Sequence, residues 1–172
     1  ALDVPMYFLK RGDTYHDVTG TTFHEFMAGA LANKVPNGVP MMGDWVNHLG
    51  TIFPEVRLKR FLEMRGADGG PWRGICALPA FWVGLFSVQT ALDAACDLIS
   101  GWSTDDMQAV RDLVPTHGLK TPLNGGMLHD IAREAVALSR AGLARRERLS
   151  ETGLDETLFL EPVQEVLVSG QT

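Results

Sequence analysis

The sequence has few cysteines, no excess of positive charge and no long apolar run. Two cysteines in 172 residues are too few for a disulfide framework, which favours a reducing compartment and predicts a cytoplasmic protein. A formal net charge of −6 argues against general binding to nucleic acids or to anionic membranes. The longest apolar stretch, residues 75–86, contains Pro79 and is shorter than the ~20 residues that cross a bilayer.

Familiar catalytic fingerprints are also missing. The sequence contains no Gly-x-Ser-x-Gly, no phosphate-binding loop of the Walker type and no dinucleotide-binding glycine motif. Its five histidines show no metal-ligand spacing with one another or with the cysteines. Cys76 and Cys96 stand in apolar surroundings, which predicts buried thiols.

The order of the predicted elements indicates an α+β fold. Short strands are predicted over residues 6–9 and 15–18, and Thr22 with Glu25 forms a capping box for a helix ending near Leu31. Asp44 is predicted to cap another short helix. Apolar periodicity and capping then predict helices over residues 78–102, 103–113, 127–147 and 154–168, with Pro115 as a helix stop and 116–126 as a loop. We expect one segment, 1–172, with strands and site mainly in 1–75 and helices mainly in 78–168.

The most informative stretch is residues 56–65, which we interpret as one strand. Successive side chains of a strand alternate between its faces. One face then carries Arg57, Lys59, Glu63 and Arg65, with Phe61 among them, and the other carries Val56, Leu58, Leu62 and Met64. The alternative is an edge strand with a solvated charged face. Because the chain as a whole is acidic, the local excess of cations favours an anionic ligand.

Glu63, Arg65 and Asp68 form the pattern Glu-x-Arg-x-x-Asp. A carboxylate oxygen suits Mg²⁺, and a guanidinium holds phosphoryl oxygens in a bidentate manner. The pair therefore predicts a site for metal and phosphate, with a same-face ion pair as the alternative. The glycine-rich turn 66–70 follows, and then Trp72 and Arg73, which we expect to border the substrate site.

His48 precedes the charged stretch and is a further candidate. It stands beside Asn47 in the short helix that leads to residues 56–65. We predict that it contacts substrate or acts as a base, with a satisfied structural histidine as the alternative.

A long block closely resembles the plant and proteobacterial type of glutamate–cysteine ligase. The resemblance is carried by residues 47–60 and 63–72, and it continues through 76–85 and 118–122. It covers nearly the whole chain from Met6 onwards. Members of that family are longer, so the chain resembles their C-terminal part and lacks the N-terminal half.

The resemblance implies ATP-dependent joining of the L-glutamate γ-carboxylate to the L-cysteine amine through γ-glutamyl phosphate, the first step of glutathione synthesis. It implies part of a catalytic domain like that of glutamine synthetase, an antiparallel sheet flanked by helices with a helical C-terminal half. Glu63 would hold Mg²⁺, and Arg57, Lys59 and Arg65 would stabilise the phosphoryl oxygens. The implied partners are the substrates and the missing N-terminal half, with a homodimer left open.

Two other interpretations remain open at this point. The chain is an inert structural or dimer-forming piece whose charged face is merely solvated, or it belongs to a sister ligase that joins glutamate to another amine. The first predicts that nucleotide and glutamate leave Glu63 and Arg65 unaffected. The second depends on the cysteine pocket, whose residues we expect outside this chain.

Overall fold

A computed structural model describes residues 1–58, 60–67 and 69–170. These residues form helices and small antiparallel sheets, so the predicted α+β class is confirmed. The chain divides into two compact units, Ala1–Ala67 and Asp68–Thr172, and each is described by itself. That both belong to one catalytic domain stays a prediction.

The first unit contains two β-hairpins and two helices. Its elements are β1 (Phe8–Arg11), β2 (Thr14–Asp17), α1 (Phe23–Met27), α2 (Met42–Thr51), β3 (Val56–Leu58) and β4 (Leu62–Met64). Strands β1 and β2 pair antiparallel, with Phe8 opposite Asp17. The core consists of apolar side chains against which Trp45 packs: Met6, Leu9, Val18, Phe23, Phe26, Leu31 and Val35.

Helix starts in this unit follow capping chemistry. The predicted capping box is confirmed, because Glu25 N–H donates to the Thr22 hydroxyl and Thr22 N–H donates to the Glu25 carboxylate at 2.8 Å. Helix α1 nevertheless ends at Met27, earlier than predicted. Asp44 is not the cap residue itself; it lies in the first turn of α2 and accepts the Met41 N–H at 3.0 Å.

The single strand predicted over residues 56–65 is wrong. The chain reverses between Leu58 and Leu62, and β3 pairs antiparallel with β4. No glycine, proline, asparagine or aspartate marks this turn, so the sequence carried none of the usual signals. The predicted faces survive because Arg57 lies opposite Glu63 in the register.

The second unit is mainly helical. Its helices are α3 (Ala77–Phe86), α4 (Gln89–Ile99), α5 (Thr104–His117), α6 (Leu128–Arg145) and α7 (Glu161–Ser169). Short 3₁₀ helices cover Trp72–Gly74, Gly118–Lys120 and Glu156–Leu160. A small hairpin is formed by β5 (Pro122–Leu123) and β6 (Gly126–Met127).

Helices α3 and α6 cross at very close range. A Cβ atom on Gly84 would overlap Ser139, and one on Gly142 would overlap the Gly84 carbonyl. The Ser139 hydroxyl, fully buried, donates to the Phe81 carbonyl at 2.9 Å. Only small residues allow this approach, and it places Leu143 and Leu160 in the core of the unit.

Several predicted helix boundaries are wrong. The helix predicted over 78–102 breaks between Phe86 and Gln89, because Val88 takes an extended backbone, φ −125° and ψ 122°. Taken from Trp72, the segment ending at Phe86 makes an angle of 95° with Gln89–Ile99. Among described residues no single helix is long and apolar enough to span a membrane, and this bent pair meets the length and composition test only when combined.

The segment after residue 113 also differs from prediction. Helix α5 includes Pro115 and ends at His117, and the following Gly118, with φ +54°, caps it. Part of the predicted loop 116–126 is the β5–β6 hairpin, which turns through Asn124 and Gly125, both at positive φ. The predicted last helix begins as a 3₁₀ turn that precedes α7.

Candidate anion-binding site

The β3–β4 hairpin brings together charged residues that a single strand would separate. Six residues of extended strand would put Arg57 and Glu63 about 20 Å apart. In the hairpin they are directly opposite. The Arg65 N–H donates to the Glu55 carbonyl at 2.8 Å and continues the pairing beyond β4. Arg57, Glu63 and Arg65 therefore lie side by side, and we call them the arginine cluster.

Glu63 lies between the two guanidinium groups of the arginine cluster. Arg57 approaches Glu63 Oε2 with Nε and with Nη2, each at 2.8 Å. Arg65 Nη1 donates to Glu63 Oε1 at 3.1 Å. The side chains of Arg57, Arg65 and Glu63 are 27%, 26% and 30% exposed, so the cluster is partly accessible to solvent. Within the arginine cluster itself, two cations face one carboxylate.

The two arginines of the cluster have donors beyond those that Glu63 takes. A guanidinium has five N–H donors. Within the described residues, Arg57 directs two nitrogens at Glu63 and Arg65 directs one. Among the described residues the remaining donors meet no acceptor, and their partial exposure leaves them accessible to solvent or to a ligand. An oxyanion with several oxygens, such as a phosphoryl group, matches this pair of planar forks.

Phe53 contacts Arg65 through its aromatic ring, whereas Glu63 contacts it through a carboxylate. The Arg65 guanidinium carbon lies 5.4 Å from the centroid of the Phe53 ring, a cation–π contact. The ring is 59% exposed, so it does not belong to the core. Phe53 was not among the predicted site residues. Its one sequence signal is the proline that follows it, because Pro54 restricts the backbone of Phe53 to extended conformations.

The chemistry of Glu63 is compatible with the metal role that the resemblance implies. Mg²⁺ is commonly held by one or two carboxylates together with substrate phosphates and water. Glu63 supplies one carboxylate beside two phosphate-binding candidates. No group of three or more His, Cys, Asp or Glu suited to a metal occurs among the described residues. Metal binding at Glu63 would compete with the arginine contacts and would need the phosphates of a nucleotide alongside.

The structure brings together three of the seven predicted site residues: Arg57, Glu63 and Arg65. Lys59 lies outside the described residues, as does Asp68 of the Glu-x-Arg-x-x-Asp pattern. Their predicted roles stay predictions.

His48 lies inside the first unit. It is 4% exposed, and its ring stacks on Phe23 with centroids 5.2 Å apart and packs near Trp45. Its Nε2 lies 2.9 Å from the Ala1 carbonyl oxygen, and within the described chain Nδ1 has no hydrogen-bond partner. Such a buried, stacked ring is typical of a structural histidine. The substrate contact of His48 stays a prediction.

Trp72 and Arg73 occupy the start of the second unit. Trp72 is 88% exposed, and Arg73 Nη2 donates to Glu165 Oε1 at 2.7 Å. This hydrogen bond raises the pKa of the Arg73 guanidinium, which therefore stays charged. Their substrate role stays a prediction.

An open groove of about 610 Å³ lies beside these two residues. Its walls include Ile75, Leu78, Phe81, Val136 and Val163. A lining of this kind suits apolar groups rather than an amino acid or a nucleotide.

The predicted burial of the two cysteines is wrong. Cys76 and Cys96 are both exposed free thiols. Both lie on or next to helices of the second unit whose buried faces are made by other residues, such as Ala77 and Ala91. Apolar neighbours in sequence did not indicate which face of the helix each cysteine occupies.

Fold and cluster together define an α+β protein with a paired-arginine surface suited to an oxyanion. The model of glutamate-cysteine ligase family 2 (GCS2) matches residues 1–172, so the chain belongs to this family. The resemblance seen in the sequence is thereby confirmed.

Curated relatives in plants match the whole chain. It is 51% identical over 172 residues to "Glutamate--cysteine ligase, chloroplastic" from Nicotiana tabacum and to the proteins of the same name from Arabidopsis thaliana, and 51% identical to "Glutamate--cysteine ligase A, chloroplastic" from Oryza sativa subsp. indica. The chain spans only 32–34% of the length of these relatives.

The expected cytoplasmic location is wrong by the same comparison. The relatives are named as chloroplastic enzymes, and this finding overturns the expectation. A low cysteine content argues against an oxidising compartment. It does not distinguish one reducing compartment from another.

Proposed function

We propose that this chain is part of an ATP-dependent ligase that joins the γ-carboxylate of L-glutamate to the amine of L-cysteine, the first step of glutathione synthesis. The observation that carries the proposal is the arginine cluster, whose donors beyond those that contact Glu63 meet no acceptor among the described residues and suit phosphoryl oxygens. Membership of the glutamate–cysteine ligase family supports the same reaction. We further propose that the β3–β4 hairpin belongs to a larger antiparallel sheet like that of glutamine synthetase, completed by the N-terminal half.

The proposed reaction has two steps. A glutamate γ-carboxylate oxygen attacks the γ-phosphorus of ATP, forming γ-glutamyl phosphate and releasing ADP. The cysteine amine then attacks the acyl carbon, loses a proton and expels phosphate. Both steps place negative charge on phosphoryl oxygens, so the protein must supply fixed cations rather than a covalent nucleophile.

Each residue of the cluster has a distinct role in this proposal. Arg57 and Arg65 bind phosphoryl oxygens, and Lys59 adds a third cation. Glu63 holds the two guanidinium groups before the nucleotide binds. It would then exchange part of these contacts to serve as one ligand of Mg²⁺. The metal would neutralise part of the charge on the phosphates. Trp72 and Arg73 border the substrates.

The test is γ-glutamylcysteine formation from ATP, Mg²⁺, glutamate and cysteine by the full-length protein that contains this chain. We expect product from the parent and none from a folded Glu63→Gln variant. A matched control is Glu165→Gln, which removes a carboxylate from an exposed ion pair with Arg73. It should leave ligation intact.

Other outcomes separate the alternatives. No product from a folded parent contradicts the cysteine ligase, and product with a different amine would establish the sister ligase instead. Product from both parent and Glu63→Gln would keep the reaction but remove Glu63 from the mechanism. Nucleotide binding that is insensitive to both Glu63→Gln and Arg65→Ala would favour a solvated, structural face.

A further inference from the structure

Arg65 is held on three sides by groups of different kinds. Its backbone N–H donates to the Glu55 carbonyl at 2.8 Å, its Nη1 donates to Glu63 Oε1 at 3.1 Å, and its guanidinium lies over the ring of Phe53. The first contact fixes the backbone and the second fixes one edge of the guanidinium. Among the described residues, only the ring of Phe53 lies over the face of the guanidinium and constrains its plane.

The position of Phe53 is itself constrained by the sequence around it. Helix α2 ends at Thr51, and Ile52 has an extended backbone with φ −86° and ψ 118°. Pro54 restricts the backbone of Phe53, because its ring excludes helical conformations of the preceding residue. A short, stiff segment thus presents the ring. Since the ring is 59% exposed, core packing does not account for its place.

We propose that Phe53 is a positioning residue, which orients the guanidinium of Arg65 so that its remaining donors meet two oxygens of one phosphoryl group. The proposal rests on the proposed function, because it assumes that Arg65 binds a phosphate of ATP. A guanidinium stacks on an aromatic face and binds bidentately in its own plane, so the ring fixes the direction of the bonds. An aliphatic side chain of similar size lacks the negative face that attracts the cation.

The test compares Phe53→Leu, Phe53→Tyr and Phe53→Trp in the full-length protein, with steady-state kinetics for each substrate. We expect Phe53→Leu to raise the KM for ATP about threefold to tenfold, with the KM values for glutamate and cysteine unchanged. Phe53→Tyr and Phe53→Trp should restore the parent value, because both keep an aromatic face. A purely structural loss would lower kcat through the active fraction and leave every KM unchanged.

Phe61→Leu is the matched control, since Phe61 is 61% exposed in the same unit and, among the described residues, makes no cation–π contact. It should leave the KM for ATP unchanged. Equal KM values for Phe53→Leu and Phe53→Tyr would overturn the proposal.

Arg65→Lys in the same assay separates the positioning role of Phe53 from the phosphate-binding role of Arg65. A raised KM for ATP in Arg65→Lys but not in Phe53→Leu overturns the positioning role and leaves the proposed function standing. A raised KM in Phe53→Leu but not in Arg65→Lys also overturns it, because the ring would then act through another group. Normal values in both variants overturn the role of Arg65 as well.

Discussion

Two arginine–carboxylate sites in the first unit differ in how completely the protein satisfies them. At the first site Arg11 pairs with Asp44, with contacts of 2.7 and 3.0 Å, and the side chains are only 9% and 4% exposed. Arg11 also donates to three backbone carbonyls, those of Lys10, Asn37 and Val39. Its five N–H donors are therefore matched by five protein acceptors.

The arginine cluster is the contrasting case. Arg57 and Arg65 together contact one carboxylate, are about a quarter exposed, and have donors that the described residues do not match. Arg11 is a structural arginine that ties the loop before α2 to the β1–β2 hairpin. The comparison teaches that donor satisfaction, rather than proximity to a carboxylate, separates a structural arginine from a candidate for ligand binding.

The largest effect is expected at the buried pair. Asp44→Ala would leave the Arg11 charge buried without its partner and remove the acceptor of the Met41 N–H. We expect the free energy of unfolding to fall by about 3–5 kcal/mol. Urea denaturation of the full-length protein, followed by fluorescence, measures the loss.

Glu63→Ala is the matched change at the arginine cluster. Because that pair is partly solvated, its removal should cost less than about 1 kcal/mol. Equal losses of stability at the two carboxylates would break the comparison.

The next effect is functional and uses one substitution at both sites. Arg65→Lys keeps the charge but removes the planar fork, and we expect kcat/KM of the full-length ligase to fall about 10²–10³-fold with an unchanged urea midpoint. Arg11→Lys should instead lower the urea midpoint, because it loses most of the five hydrogen bonds of Arg11, and it should affect kcat/KM less than Arg65→Lys does. Parallel measurement of ligation and unfolding in both variants decides the matter.

The comparison would fail if Arg65→Lys were destabilised as strongly as Arg11→Lys. It would also fail if a folded Arg65→Lys ligated at the parent rate, because the unmatched donors would then serve no ligand.

The sequence predicted the arginine cluster but not its geometry. Alternation of side chains placed Arg57, Glu63 and Arg65 on one face, and that assignment holds in a strand or in a hairpin in which Arg57 pairs with Glu63. The turn was missed because its residues are charged and aromatic. The direct contact of Arg57 with Glu63 depends on that turn, so spacing along the chain could not reveal it.

Long-range partners were beyond sequence reasoning for a related reason. Arg11 and Asp44 are 33 residues apart, and no local pattern joins them. The close crossing of α3 with α6 likewise depends on Gly84 and Gly142, which are far apart in the sequence. Local capping, by contrast, was predictable at Thr22, because every group involved lies within one helical turn.

Arg73 offers a further test of whether unmatched donors mark a ligand-binding arginine, with a smaller expected effect on KM. It donates to Glu165 on the surface, with both side chains about 60% exposed, and within the described chain its other donors are unmatched. If unmatched donors mark ligand binding, Arg73→Gln should raise the KM for one substrate by about threefold to tenfold, with no change in the urea midpoint.

Glu165→Gln is the control, since it removes the partner and keeps the arginine. An unchanged KM for every substrate in Arg73→Gln would show that unmatched donors are insufficient and that a second cation and a stacking ring are required.

The smallest effect concerns a carboxylate whose hydrogen bonds come from Thr22 rather than from an arginine. The Thr22 backbone N–H, and then its hydroxyl, hold the pKa of Glu25 below its ordinary value of 4.5, with weaker contributions from Lys34 and His24. A lowered pKa in the folded state stabilises the protein above the ordinary value, and this stabilisation is lost as pH falls through the folded value.

Glu25→Gln should therefore lower the urea midpoint slightly at neutral pH and have no effect once the carboxyl is protonated. The measurement is the difference in midpoint between parent and variant as the pH is lowered past 4.5, with Glu151→Gln, an exposed carboxylate, as control. A difference that grows on acidification would contradict the sign. If Glu25→Gln lowered the free energy of unfolding as much as Asp44→Ala, a capping carboxylate would contribute as much stability as a buried ion pair. Burial would then not explain the large effect expected at Asp44.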